Sequence, residues 1–247
     1  MKILSDFFNT ERMKIEIWSD VMCPFCYIGK RNLETALAQF PDRDQIQIEW
    51  KSYQLDPTMP ENVQDSYTGY LSKKRNVSEA QGNEMLASVT ISAQQVGLDY
   101  HFDKSIMTNS FKAHVLIQFA KSKNKGDQME ERLFKAFFTN GENISDVTTL
   151  IRLGVEIDLE ESELAEAFTS DIFAYAVKSD IQEAQNIGVT GVPFFVFDRK
   201  YAVSGAQPTE AFLETLTKSF NEWRKNNPET KLEITEGNNC SIDGKCD

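Results

Sequence analysis

Cys23 and Cys26 stand three positions apart in the run Met13-Lys-Ile-Glu-Ile-Trp-Ser-Asp-Val-Met-Cys-Pro-Phe-Cys-Tyr-Ile-Gly-Lys30. Ile15 and Ile17 alternate with Lys14, Glu16 and Trp18, the pattern of a strand with at least one buried face. From Cys26 the period changes, and Ile28, Leu33, Ala36, Leu37 and Phe40 mark the buried stripe of a helix. Pro24 suits the first helical position, where its missing N–H would be unpaired anyway. Cys23 then falls at the N-cap, facing unpaired backbone N–H groups and the positive end of the helix dipole. That position favours the thiolate, the reactive form of cysteine. With Cys26 one turn along and within disulfide reach, the pair is equipped for thiol–disulfide exchange. A Cys-x-x-Cys is also half a zinc site, which Cys240 and Cys246 would complete. The tail pair is too widely spaced for usual zinc ligands, and the first pair opens a long apolar helix. Redox chemistry is the preferred reading, with no metal expected.

The second chemical signature is Gly188-Val-Thr-Gly-Val-Pro-Phe-Phe-Val196. A proline opening a central strand would cost a ladder hydrogen bond. A cis Val192–Pro193 bond would instead make a tight bend, and cis bonds are uncommon enough to imply a function. The N–H and C=O of Val192 would then be free to pair with an extended peptide. The other reading is an ordinary trans proline ending a helix-to-strand loop.

These two segments need a scaffold. Residues 45–55 alternate through Ile46, Ile48 and Trp50 as a second strand, which Pro57 and Pro60 break. Residues 63–186 look helical throughout. Ser78 is a candidate N-cap for a helix closed by Gly97; further helices run from Ser110, from Met129, from Ser145 or Asp146, from Glu160 and from Asp171. Strand character returns at 193–197 and 201–204 as a tight hairpin, and a last amphipathic helix follows Pro208. Strand–helix–strand, helical block, hairpin–helix predicts an α/β chain of thioredoxin-like topology. A long helical insertion separates its βαβ and ββα halves. The divisions are 13–60 with 187–225, the insertion 61–186, and a tail 226–247 carrying a second cysteine pair.

Three segments, Trp18-Ser-Asp-Val-Met-Cys-Pro-Phe-Cys-Tyr-Ile-Gly-Lys30, Thr108-Asn-Ser-Phe-Lys-Ala-His114 and the Val192–Pro193 loop with Ser204-Gly-Ala-Gln-Pro208, resemble the FrnE-like branch of the DsbA-type thiol:disulfide oxidoreductases. The resemblance spans about 13–225. It implies a thioredoxin fold with helical insertion, Cys23 as nucleophile, Cys26 as resolving cysteine and Pro193 as the cis-proline. Phe25 departs from the strongly oxidising members, which carry histidine between the cysteines, so a milder oxidant or an isomerase is expected. The related 2-hydroxychromene-2-carboxylate isomerases use glutathione and have serine at the first cysteine position, which Cys23 does not match.

Pro24, Phe25, Val192 and His114 are the expected substrate-contacting residues, although His114 on an apolar helix face is more simply a core histidine. Asp20 reads as a turn residue or a proton relay. Cys240 and Cys246, bracketing an Asp243-Gly244 turn, are expected to form a second redox pair. No organic cofactor is expected; glutathione or thioredoxin would recycle the dithiol.

The chain has 247 residues and a formal charge of −12, which argues against nucleic acid or an anionic membrane as partner. No signal peptide or membrane span is read, and cytoplasmic residence is expected. Partners are therefore protein or small-molecule thiols and disulfides. The competing function is a holdase module that uses the cis-proline groove without turnover.

Overall fold

The computed structural model describes residues 12–63 and 65–228. Cys240 and Cys246 lie outside them. Four strands, β1 (Met13–Ser19), β2 (Ile46–Ser52), β3 (Phe194–Phe197) and β4 (Tyr201–Ser204), form one sheet in the order β2-β1-β3-β4. β1 pairs parallel with β2, Ile15 opposite Ile48 and Ile17 opposite Trp50, while β3 runs antiparallel to both β1 and β4. This is the thioredoxin-like α/β fold, with its helical insertion running from α2 to α8 between β2 and β3.

β1 is central, so both its faces are covered. Met13, Ile15 and Ile17 face the large core with α1 (Pro24–Gln39) and α9 (Thr209–Asn226). Trp18 faces the other layer with Val196 and with Ala184 of α8 (Asp171–Asn186), and its indole N–H donates to the Asp180 carbonyl at 3.0 Å. Burial of both faces explains why Glu16, which alternation alone would expose, is only 2% accessible. It is held there by Arg199 and by Lys51 at 3.8 Å. Burial nonetheless raises its carboxyl above the ordinary value, against the pull of those two cations.

The hairpin turn places Asp198 and Arg199 at φ of 50° and 54°. Two left-handed residues in succession match the right-handed twist of the flanking strands. The second strand stops at Ser52 rather than at 55: its partner β1 ends at Ser19, whose carbonyl takes the Tyr53 N–H at 2.9 Å as the last bond of the ladder.

The insertion contains α2 (Tyr67–Arg75), α3 (Glu79–Gln95), α4 (Phe111–Ser122), α5 (Gly126–Phe134), α6 (Val147–Val155) and α7 (Glu161–Ala167), followed by α8. Ser78 caps α3 through a full capping box with Gln81. Asp146 caps α6 through the Thr149 N–H at 2.7 Å. The helix expected from Met129 to Phe138 is instead α5 with a π-helical extension over Lys135–Asn140. That widened turn places Phe134, Phe137 and Phe138 together in the core. Tyr27 of α1 stacks on Phe134 at 4.8 Å, and Tyr100 stacks on Phe138 at 4.6 Å. These rings join the insertion to the thioredoxin half in one continuous core.

Candidate active site

Cys23 is the N-cap of α1, with extended backbone (φ −89°, ψ 112°), and Pro24 follows at the first helical position. Its N–H donates to the Asp20 carbonyl at 2.9 Å, and its own carbonyl accepts the Cys26 N–H at 3.0 Å. The local sequence therefore folds as expected. The turn is fixed by Asp20, whose carboxylate accepts the backbone N–H groups of Met22 (3.2 Å) and Leu55 (2.7 Å). Two tyrosines brace the rest: Tyr67 donates to the Met22 carbonyl at 3.2 Å and Tyr100 to the Pro24 carbonyl at 2.7 Å.

Both cysteines are free thiols and both are largely covered, Cys23 at 4% and Cys26 at 1% exposure. Phe25 between them is 45% exposed. Burial, and then the hydrogen bond to the Cys23 sulfur, hold the Cys26 thiol well above the usual cysteine range. The Ser19 hydroxyl and the Asp20 backbone N–H face the same sulfur and favour its ionisation, but they do not win.

The Val192–Pro193 bond is cis, and the loop lies against the cysteines. The Cys23 thiol donates to the Val192 carbonyl at 3.4 Å. That carbonyl, expected to be free for a peptide, is thus occupied in the dithiol form. Gly29 lets α1 approach this loop: a Cβ there would stand 3.0 Å from the Phe195 ring and 3.2 Å from Pro193 Cγ.

His114 does not line a surface groove. It is 1% exposed, with Nε2 3.5 Å from Asp20 Oδ1 and no hydrogen-bond partner at either ring nitrogen. The physical reason is α4, whose face from Ala113 to Ala120 is buried throughout.

Two further residues were given no role by the reading of the sequence. Ser19, the last residue of β1, donates to Glu130 Oε1 of α5 at 2.6 Å, and Glu130 is 1% exposed. The available signal was Glu130 lying within the apolar stripe of Gly126, Met129, Leu133, Phe134 and Phe137, where a carboxylate is out of place. Burial raises its carboxyl to about 7, against the Ser19 hydrogen bond and the charges of His114 and Lys30. An unfolded carboxyl ionises near 4.5, so between that pH and about 7 unfolding releases a proton and stability must fall as pH rises. Glu130→Gln should remove this slope, which amounts to about 3 kcal/mol across the window. Denaturant titrations at several pH values read it directly, and identical slopes for both proteins would disprove it.

A small cavity of about 50 Å³ adjoins the cysteine turn, lined by Met22, Met59, Met107, Leu55 and Tyr67. A wider concavity, about 700 Å³, lies over β2 near Trp50 and Lys121 and contains neither cysteine. No described helix is long and apolar enough to cross a membrane.

Known proteins resemble this chain in sequence or fold. A probable DsbA oxidoreductase from Streptomyces coelicolor, SCO1869, superposes with a TM-score of 0.80 at 32% identity, covering 96% of this chain and 99% of its own. The uncharacterized protein YwbO of Bacillus subtilis is 26% identical over 211 residues, 82% of this chain and 95% of YwbO. The cytosolic disulfide reductase DsbM from Pseudomonas aeruginosa, a structure also known with GSH, shares the fold at 15% identity and a TM-score of 0.57, over 86% of this chain and 98% of its own. The model of the DSBA-like thioredoxin domain matches residues 14–217. A cysteine pair opening the helix after the central strand, a cis proline against it and a family match across both halves of the sheet together place the chain in the DSBA-like thioredoxin domain family.

Proposed function

We propose that the protein is a thiol:disulfide oxidoreductase or isomerase that acts through Cys23 and Cys26 by a mixed-disulfide mechanism. The observation that carries this reading is the division of labour between the two sulfurs. Cys23 caps α1 beside the cis-proline loop and next to the exposed Phe25, itself only slightly less covered than Cys26. Cys26 sits one turn inside, and its burial keeps it a thiol until a mixed disulfide calls on it. The Cys23 thiolate attacks a disulfide sulfur of the substrate, one substrate thiol leaves, and a Cys23–substrate disulfide remains. Cys26 loses its proton and attacks Cys23, releasing the second substrate thiol and closing Cys23–Cys26.

Pro24, Phe25 and Val192, with the buried Pro193 behind them, form the surface around the reacting sulfur, and an apolar, extended segment is the partner that suits it. Once Cys23 is consumed in a mixed disulfide it no longer donates to the Val192 carbonyl, which then becomes available to a bound peptide. Phe25 supplies no positive charge between the cysteines, which supports a mild oxidant or isomerase over a strong oxidant. Glutathione is a suitable recycling thiol, consistent with the GSH-bound structure of DsbM, and the cytoplasm is the proposed compartment.

Trapping tests the reading. With Cys26→Ser, incubation with oxidised glutathione should accumulate an adduct on Cys23, seen by mass spectrometry. Iodoacetamide at mildly acidic pH should label Cys23 ahead of Cys26 in the wild type. Labelling of Cys26 first would reverse the assigned roles, and no adduct at all would favour the holdase alternative.

A further inference from the structure

The carbonyls on either side of Cys23 are both held from the helical insertion. Tyr67 of α2 donates to the Met22 carbonyl at 3.2 Å, and Tyr100, which follows α3, donates to the Pro24 carbonyl at 2.7 Å. Both side chains are buried, and both rings contact Phe102, at 4.7 and 5.5 Å between centroids. The two bonds polarise different amides. The Met22 carbonyl shares its peptide group with the Cys23 N–H, which is already given to the Asp20 carbonyl at 2.9 Å. The Pro24 carbonyl shares its peptide group with the Phe25 N–H.

That second amide is the one a charged sulfur would use. An N-cap side chain takes its hydrogen bond from the second or third amide of the helix. In α1 the first helical residue is Pro24, which has no N–H, and the third amide, Cys26, is bonded to the Cys23 carbonyl at 3.0 Å. The second amide is Phe25, and among the described residues nothing else takes its N–H. In the dithiol form the Cys23 sulfur is a donor, to the Val192 carbonyl at 3.4 Å. Once its proton has gone to solvent the sulfur becomes an acceptor, and the Phe25 N–H is the donor within reach of the cap.

We propose that Tyr100 acts through the Pro24–Phe25 peptide group to stabilise the Cys23 thiolate. Its O–H polarises the Pro24 carbonyl, and the N–H at the other end of that amide becomes a stronger donor to the sulfur, because hydrogen bonds in a chain strengthen one another. The inference rests on the exchange reading above, in which Cys23 attacks. Tyr100 touches neither substrate nor a reacting atom, so it is a positioning residue supplied by the insertion. Burial, and then the nearby Cys23 charge, hold its phenol far above the ordinary value, so it remains a donor throughout the working pH range. Asp20, Cys26, Tyr27, Tyr67 and Tyr70 are the other titratable groups around the two phenols. Removing the hydroxyl does not orphan the Pro24 carbonyl, which begins α1 and accepts the N–H four residues on.

The test uses the full chain with Cys240 and Cys246 replaced by serine. Fully reduced protein is alkylated with iodoacetamide across a range of pH, and labelling of Cys23 is followed by mass spectrometry. Tyr100→Phe keeps the ring and its stacking on Phe138. It should slow labelling roughly two- to threefold on the acid side, move the pH profile upward and leave the rate at high pH close to that of the parent. In a glutathione redox buffer its Cys23–Cys26 disulfide should be favoured by a similar factor, because the reduced form has lost support. Tyr67→Phe loses a bond to an amide whose N–H does not serve the sulfur, and should leave the profile in place. Replacing Tyr100 by 3,5-difluorotyrosine, a stronger donor of similar shape, should move the profile the opposite way, a gain that damage to the fold does not produce. An unmoved profile in Tyr100→Phe, equal shifts in Tyr100→Phe and Tyr67→Phe, or a difluorotyrosine profile that does not move downward overturns the route through the peptide group. A Cys26→Ser protein whose Cys23 forms no adduct with oxidised glutathione would instead overturn the exchange reading, and the labelling profiles would still stand.

Discussion

Cys23→Ser should lower the rate of insulin reduction by dithiothreitol, or of refolding of a scrambled disulfide substrate, by about 10³-fold or more. Serine keeps the size of the side chain and the N-cap role, where an oxygen is well tolerated. Thermal unfolding should therefore change little, and the loss can be assigned to the missing sulfur. Cys26→Ser should behave differently in kind: turnover falls but adducts accumulate, because attack is intact and resolution is not. Substantial activity in Cys23→Ser would mean that another thiol carries the reaction. Since Cys240 and Cys246 are the other cysteines of the chain, the same assay on a variant lacking both tests the proposal that the tail pair exchanges with the centre.

The largest effect on stability is expected at Asp180, far from the sulfurs. Its carboxylate accepts the Ser52 N–H at 3.0 Å and the Gln118 amide, and pairs with Lys51 at 3.3 Å and Lys121 at 3.9 Å. It thereby ties α4, α8 and β2 together behind the sheet. Burial depresses the ammonium of Lys121 despite Asp180 and Glu49 beside it, so there is little electrostatic reserve at this point. Asp180→Ala leaves the buried Ser52 N–H unsatisfied, takes one of two acceptors from the Gln118 amide, which keeps the Ser52 hydroxyl, and removes one counterion from two half-buried lysines. Breaking a buried ionic network in this way costs about 3–5 kcal/mol, which for a domain of this size lowers Tm by on the order of 10 °C. Glu49 and Glu183 still hold Lys51, which puts the expectation at the lower end. Asp180→Asn, which keeps the shape and an acceptor, should lose less. A Tm within about 2 °C of wild type for the alanine variant would show that the network is dispensable.

Much of this protein was legible in the chain because it is written in local chemistry. A change from period two to helical period around Pro24 is enough to put Cys23 at an N-cap, since strand alternation, proline and capping act within a few residues. The same holds for Ser78 and Asp146 at their helix starts and for the hairpin at Asp198–Arg199. The Val192–Pro193 loop declared itself through a proline at the mouth of a strand. The order of these signals was sufficient to predict the sheet and its insertion.

What the sequence left open depends on residues far apart in the chain meeting in space. Glu16 and Trp18 became buried because β3 and α8, more than 150 positions later, cover the second face of β1. His114 reads more simply as a core histidine than as a groove residue, but only the packing of α4 sets it against Asp20. Ser19 and Glu130 are 111 positions apart, and nothing in the sequence pairs them. Only the docking of α5 onto α1, through Tyr27 and Phe134, brings the Glu130 carboxyl to Ser19 at the end of β1. Local pattern fixes what each segment is, through dihedral preference and hydrophobic period. The proton environment of the cysteine pair is set by burial and by long-range hydrogen bonds, and those exist only once the insertion has closed over the sheet.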